Sequence, residues 1–169
     1  MPNHVRNELV FTCDNKERIS ELMNTIKGEN TAIDFEKIIP MPSNIYRGNL
    51  SWEDEQRLGG MDWYHWSIAN WGTKWNAYET YSGNDMISFS TAWSAPFPVI
   101  RVLSEMFPDV TITHYYADED IGYNCGKFEY KSGCSEDVSW FEDGTEESAR
   151  FACDIWGESY EEYIEEQEM

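Results

Sequence analysis

Positive charge is what this sequence has least of: 12 Lys and Arg stand against 32 Asp and Glu, leaving a net charge of -20 at pH 7. A surface so short of cations repels phosphate backbones and anionic membranes at long range. That argues against direct nucleic-acid or membrane binding and points to basic partners. Cysteine is also scarce. Cys13, Cys125, Cys134 and Cys153 form no C-x-x-C pair, so neither a zinc ribbon nor a dithiol redox centre is expected. They read as reduced thiols, with a Cys125–Cys134 bridge across a hairpin as the alternative. Only three histidines occur, His4, His65 and His114, and none forms a diagnostic pattern with Ser, Cys or acids. The expectation is a protein that is not an enzyme and uses no cofactor or metal. No apolar run reaches the roughly 18 residues of a membrane span, and Met1 to Asn7 is too polar for a secretory signal, so a cytoplasmic location is expected.

What the chain does have is aromatics, with 8 Trp, 10 Tyr and 8 Phe, enough to build a core and to supply interface anchors. Val5 to Thr12 alternates as a strand, with Leu9 and Phe11 on one face. A helix follows, with Asp14 as N-cap, Glu17 at capping-box spacing, and Ile19, Leu22, Met23 and Ile26 as its buried stripe. Ala32 to Ile39 reads as a short strand ended by Pro40 and Pro42, and Ser43 to Gly60 as irregular chain. Asp62 opens an aromatic helix that Gly72 terminates. Two strands, Ala77 to Tyr81 and Met86 to Trp93, flank the turn Ser82-Gly83-Asn84-Asp85, the second with one core face. Pro96 and Pro98 start a helix that Pro108 stops. Strands at Val110 to Ala117, Tyr123 to Tyr130 and Glu136 to Phe141 follow, and Thr145 caps an amphipathic C-terminal helix interrupted by Gly157.

With residues 40 to 75 set aside as an insertion, the order strand, helix, strand, strand, helix, strand is that of an α+β, ferredoxin-like split βαβ core. An aromatic-rich insertion at about 43–75, extra antiparallel strands and a C-terminal acidic helix complete it. Residues 1–142 form the ferredoxin-like domain, and 143–169 form the acidic helix appended to it.

The segments Asn70-Trp71-Gly72-Thr73-Lys74-Trp75 and Ser90 to Ile100 (STAWSAPFPVI) resemble the YubB-like family of plasmid and phage proteins. Pro2 to Leu9, Phe35 to Pro42 and Leu103 to Pro108 extend the resemblance, which covers most of residues 2 to 130. It implies a ferredoxin-like domain and a mobile-element origin, and it carries over no catalytic residues. Past about Ser132 the resemblance fades, so a function placed there would be particular to this chain.

Three constellations remain. Trp71, Lys74, Trp75 and Trp93 either line a pocket for a flat or anionic ligand, as in a small-ligand or nucleotide-binding module with enzymatic potential, or fill the core between helix and sheet. Phe89, Trp93, Tyr115 and Tyr123 would offer stacking faces of an RNA platform, a reading opposed by the charge and by the absence of an RNP1-like sequence. Finally, residues 136–169 carry thirteen acids and the single base Arg150, a net of -12. On a helix, Glu158, Glu162 and Glu166 would stand about 6 Å apart along the axis, with Glu161, Glu165 and Glu168 in an adjacent row, a spacing comparable to successive phosphates. The segment reads either as a solubilising tail or as a surface for a host protein with a basic groove, such as a defence nuclease inhibited by a DNA mimic.

Overall fold

The computed structural model describes residues 1–169. The chain runs β1 (His4–Thr12), α1 (Lys16–Ile26), α2 (Trp52–Leu58), α3 (Trp63–Asn70), β2 (Tyr78–Gly83), β3 (Met86–Ala92), α4 (Phe97–Met106), β4 (Thr111–Asp118), β5 (Cys125–Lys131), β6 (Cys134–Asp137), α5 (Glu146–Trp156) and α6 (Tyr160–Glu168). Six strands form one antiparallel sheet in the order β2-β3-β1-β4-β5-β6. The first four reproduce the ferredoxin-like arrangement, because the crossover from β1 to β2 leaves a gap that β3 fills and the crossover from β3 to β4 passes over β1. β5 and β6 extend the β4 edge as a meander. No helix is long and apolar enough to cross a membrane.

The pleat of β1 sends Val5, Asn7, Leu9 and Phe11 to one face, where they meet α1, α4 and the 28–75 connection. Ile19, Leu22 and Ile26 of α1 and Val99, Ile100 and Leu103 of α4 close this core. On the opposite face α5 covers a smaller cluster of Ala117, Cys125, Phe151 and Ala152. That face also carries polar contacts: Arg6 donates to Ser88 Oγ at 3.2 Å, and Ser90 Oγ donates to Glu79 at 3.0 Å.

Several local expectations change. The cap of α1 is Asn15, whose side chain accepts from the Glu17 N–H, and not Asp14. Residues 32–39 form no strand; Phe35–Lys37 is a 3₁₀ turn capped by Asp34. The stretch 43–60 contains α2, held by a reciprocal Ser51–Asp54 capping box and a left-handed Gly59. β3 is buried on both faces beyond Met86, Ser88 and Ser90 included. β6 ends at Asp137, before Phe141. All four cysteines are free. The C-terminal acidic helix is present in two pieces, because Gly157 is left-handed (φ 73°) and closes α5, after which Ser159 caps α6.

Candidate functional site

Every one of the thirteen acids from Glu136 to Glu168 has an exposed side chain. Arg150 reaches two of them: it donates to Glu146 at 2.8 Å and to Glu161 at 3.2 Å, and its guanidinium lies 4.0 Å over the Tyr160 ring. The other eleven make no ion pair. A backbone N–H at its own position, then the Arg150 guanidinium, hold the Glu161 carboxyl below its ordinary range. In α6, Tyr160, Tyr163 and Ile164 turn inward and are half-buried, which sends Glu161, Glu162, Glu165 and Glu166 to solvent. Glu158 lies before α6, so the expected row Glu158–Glu162–Glu166 is broken at its first member. Glu161, Glu162, Glu165, Glu166 and Glu168 share one nine-residue helix.

The aromatic segment splits in two. Trp71 is core: it is 3% exposed, donates its indole N–H to the Ile39 carbonyl at 2.9 Å, and meets Phe35 and Trp66 edge-on. Lys74, Trp75 and Trp93 stay at the surface, where the Lys74 ammonium sits 4.6 Å from the Trp75 ring centre and 4.8 Å from that of Trp93. Trp75 and Trp93 are 38% and 42% exposed. Lys74 makes no ion pair, so the two indoles are its counter-groups. Trp93 has φ 73°, a strained conformation for so bulky a residue. It is held there because its N–H donates to the Asn3 carbonyl at 2.9 Å and its own carbonyl accepts from Asn124 at 3.2 Å. Asp118 ties both asparagines together. The clefts of about 710, 270 and 350 Å³ are not lined by Lys74.

Sequence reasoning missed the flanks of this strip. Tyr64 meets Trp93 edge-on, and Tyr78 meets both Trp75 and His4. Burial, then the charges of Glu79 and Glu119, push the Tyr78 hydroxyl up to about 12, so it stays protonated; it shares a 2.5 Å hydrogen bond with His4 Nδ1 and lies 3.3 Å from the Thr91 carbonyl, to which it can donate. His65 bonds Asp62 through Nδ1 at 2.8 Å, and the Asp62 carboxylate also accepts the His65 backbone N–H at 2.9 Å. Burial pushes the Asp62 carboxyl up, but the His65 hydrogen bonds outweigh it and hold the group below its ordinary range. The i, i+3 spacing at a helix start was the available signal for this pair. It caps α3, and no nucleophile hydrogen-bonds to the ring. The RNA-platform aromatics are not coplanar: Phe89 pairs with Asn7 on the main-core face, whereas Tyr115 pairs with Glu8 on the other and stacks on Phe151. Asp118, Glu119 and Asp120 form a stitched turn, and no group of three or more His, Cys, Asp or Glu side chains is placed to hold a metal.

No curated protein and no solved structure matches the chain. A family model does, over residues 70–168. The match spans the Trp71–Trp75 segment, the Trp93 loop, the whole β2–β6 region and both C-terminal helices. The acidic segment is therefore inside the family region, contrary to the expectation that the resemblance fades past Ser132. With more than half its length matched, the chain belongs to the family described as the ferredoxin-like domain in Api92-like proteins.

Proposed function

We propose that this is a phage or plasmid accessory protein that binds and inhibits a host protein through its acidic surface, as a DNA mimic directed at a defence nuclease or another DNA-binding enzyme. The observation that carries the reading is the solvent exposure of all thirteen acids between Glu136 and Glu168 with only Arg150 among them. Folding favours part of this run, since Glu146, Glu147, Glu161 and Glu162 stand in the first turns of α5 and α6, but it gives no reason for the acids at the end of α6. Acids in the last turn of a helix oppose its macrodipole by about 0.3–1 kcal/mol each, and like charges at i, i+4 add a similar penalty. A basic groove repays such a field in steering and affinity. The resemblance to YubB-like plasmid and phage proteins supports the mobile-element setting, and Trp75 and Trp93 supply exposed aromatic anchors of the kind that dominate interface energetics.

The test is affinity capture from a host lysate at low and high salt, with Glu158, Glu161, Glu162, Glu165 and Glu166 changed together to Gln as control. The expected partner is a DNA-binding protein whose capture is competed by duplex DNA, weakens with salt and disappears in the variant. A partner held equally by both forms, or one indifferent to DNA, would overturn the mimic.

A further inference from the structure

Between α6 and the loop that joins β4 to β5 lies a groove of about 270 Å³, walled by Ile121, Tyr123, Ala149, Tyr160, Tyr163 and Ile164. It is preformed. The Gly144 N–H donates to the Gly122 carbonyl at 2.9 Å, fixing the loop against the start of α5, and a Cβ at Gly144 would come within 3.0 Å of the Tyr123 hydroxyl. A second hollow of about 350 Å³ adjoins it, sharing Tyr160 and Ile164, and is rimmed by Glu146, Glu161 and Glu165. The walls are apolar and aromatic, while the rim is acidic apart from Arg150. Arg150 shows what such a rim holds: a guanidinium laid on a tyrosine face and clasped by two carboxylates.

We propose that this double hollow is a docking groove for a basic polypeptide segment of the partner, with one apolar side chain seated on Tyr163 and Ile164 and flanking Arg or Lys heads on Glu161 and Glu165. Charge complementarity selects that occupant. A second copy of this chain would bring another -20 to an acidic rim, and a nucleic-acid strand would bring phosphates. The inference rests on the acidic-surface reading and adds to it a short-range, shape-dependent contact that mimicry of phosphates alone does not need. Tyr123, 52% exposed at the groove mouth, neighbours Asn124, whose side chain holds the Trp93 carbonyl, so the groove and the Trp75–Trp93 strip border one surface.

The probe is a pair of capped synthetic peptides of equal charge, one with a leucine between arginines and one with glycine in its place. The leucine peptide is expected to bind about tenfold more tightly by calorimetry, the order expected for burying one apolar side chain, and to shift the NMR signals of Tyr123, Tyr163 and Ile164. Ala149→Leu, which fills the groove without changing charge, is expected to abolish the preference and leave the glycine peptide unaffected. Ile164→Ser gives the same reading where Ala149→Leu disturbs folding by circular dichroism. Equal binding of the two peptides, a preference surviving both variants, or dimerisation through this groove in sedimentation would each overturn the docking groove while leaving the acidic surface standing. A leucine preference in wild type, with no DNA-binding protein captured from lysate, would keep the groove and remove the DNA mimic.

Discussion

One face of the sheet buries Leu9, Phe11, Ile87, Phe89 and Ile112 beneath α1 and α4, within a cluster of 20 buried residues; on the other the apolar cluster has four, Ala117 and Cys125 of the sheet with Phe151 and Ala152 of α5. The first face is where the burial that stabilises the fold is concentrated, at roughly 25 cal/mol per Å² of apolar area removed from water. The second is thin, and it carries the acidic helices. Stability and surface chemistry are thus segregated, which leaves α5 and α6 free to hold a charge distribution that a central helix could not tolerate. Core truncation tests the segregation most directly. Phe89 is fully buried and meets Phe35 edge-on, so Phe89→Ala is expected to cost about 3–5 kcal/mol in urea unfolding. Phe151 packs on Phe141 and Trp140 at a partly open edge that can collapse, so Phe151→Ala is expected near the lower end, about 3 kcal/mol. A larger loss at Phe151 would show that the small cluster is the keystone and break the comparison.

The main core carries a polar thread that the other face lacks. Asn7 donates to Thr91 Oγ1 at 3.0 Å and to the Val5 carbonyl, and its own carbonyl oxygen accepts from His114 Nε2 at 2.9 Å. Thr91 Oγ1 in turn donates to the Ser94 carbonyl, and Ser94 Oγ to that of Gly72. The thread therefore ends beneath Trp93 and positions the exposed strip. His114 Nδ1 has no partner, and the ring lies against Phe97, Tyr116 and Tyr130, with Phe128 opposite on β5. Burial pushes this imidazole down to about 3, from an ordinary value of 6.5. Below about pH 6.5 the unfolded chain binds a proton that the folded chain refuses. Stability therefore falls with pH, by about 1.4 kcal/mol per unit, down to about pH 3. Urea midpoints between pH 6.5 and 4.5 are expected to show this slope in the wild type and to lose one proton's worth of it in His114→Gln. Equal slopes would mean that His114 is not sealed in the core.

The part of this fold set by local pattern was readable before the structure: the alternation of β1, the stripe of α1, the prolines around α4 and the Thr145 cap all act within a few residues. What escaped was set from a distance. α2 has no apolar stripe, since Trp-Glu-Asp-Glu-Gln-Arg-Leu is stabilised by its caps, and Ala32 to Ile39 has strand-like composition but no neighbouring strand to pair with. α3 is aromatic on several sides, so periodicity could not say that Trp71 turns inward while Tyr64 reaches Trp93. At the site, exposure of the acids followed from composition. The groove did not, because Ile121, Ala149 and Ile164 come from three segments that only the sheet brings together.

The smallest expected effect is the one that most sharpens the comparison. Changing Glu161, Glu162, Glu165 and Glu166 together to Gln removes one exposed ion pair, Arg150–Glu161, and the favourable placing of Glu161 and Glu162 in the first turn of α6. The same change relieves the repulsions Glu161–Glu165 and Glu162–Glu166 and the conflict of Glu165 and Glu166 with the helix C-terminus. The opposing contributions nearly cancel, so thermal unfolding at low salt is expected to shift by no more than a few degrees. Added salt screens repulsion and pairing alike and is expected to narrow even that difference. A clear destabilisation of the four-Gln variant would make these carboxylates structural, tied to the fold through Arg150, and would remove the reason for assigning them to a partner. An unchanged or slightly raised unfolding temperature, together with loss of capture, leaves recognition as the property that the acidic helix serves.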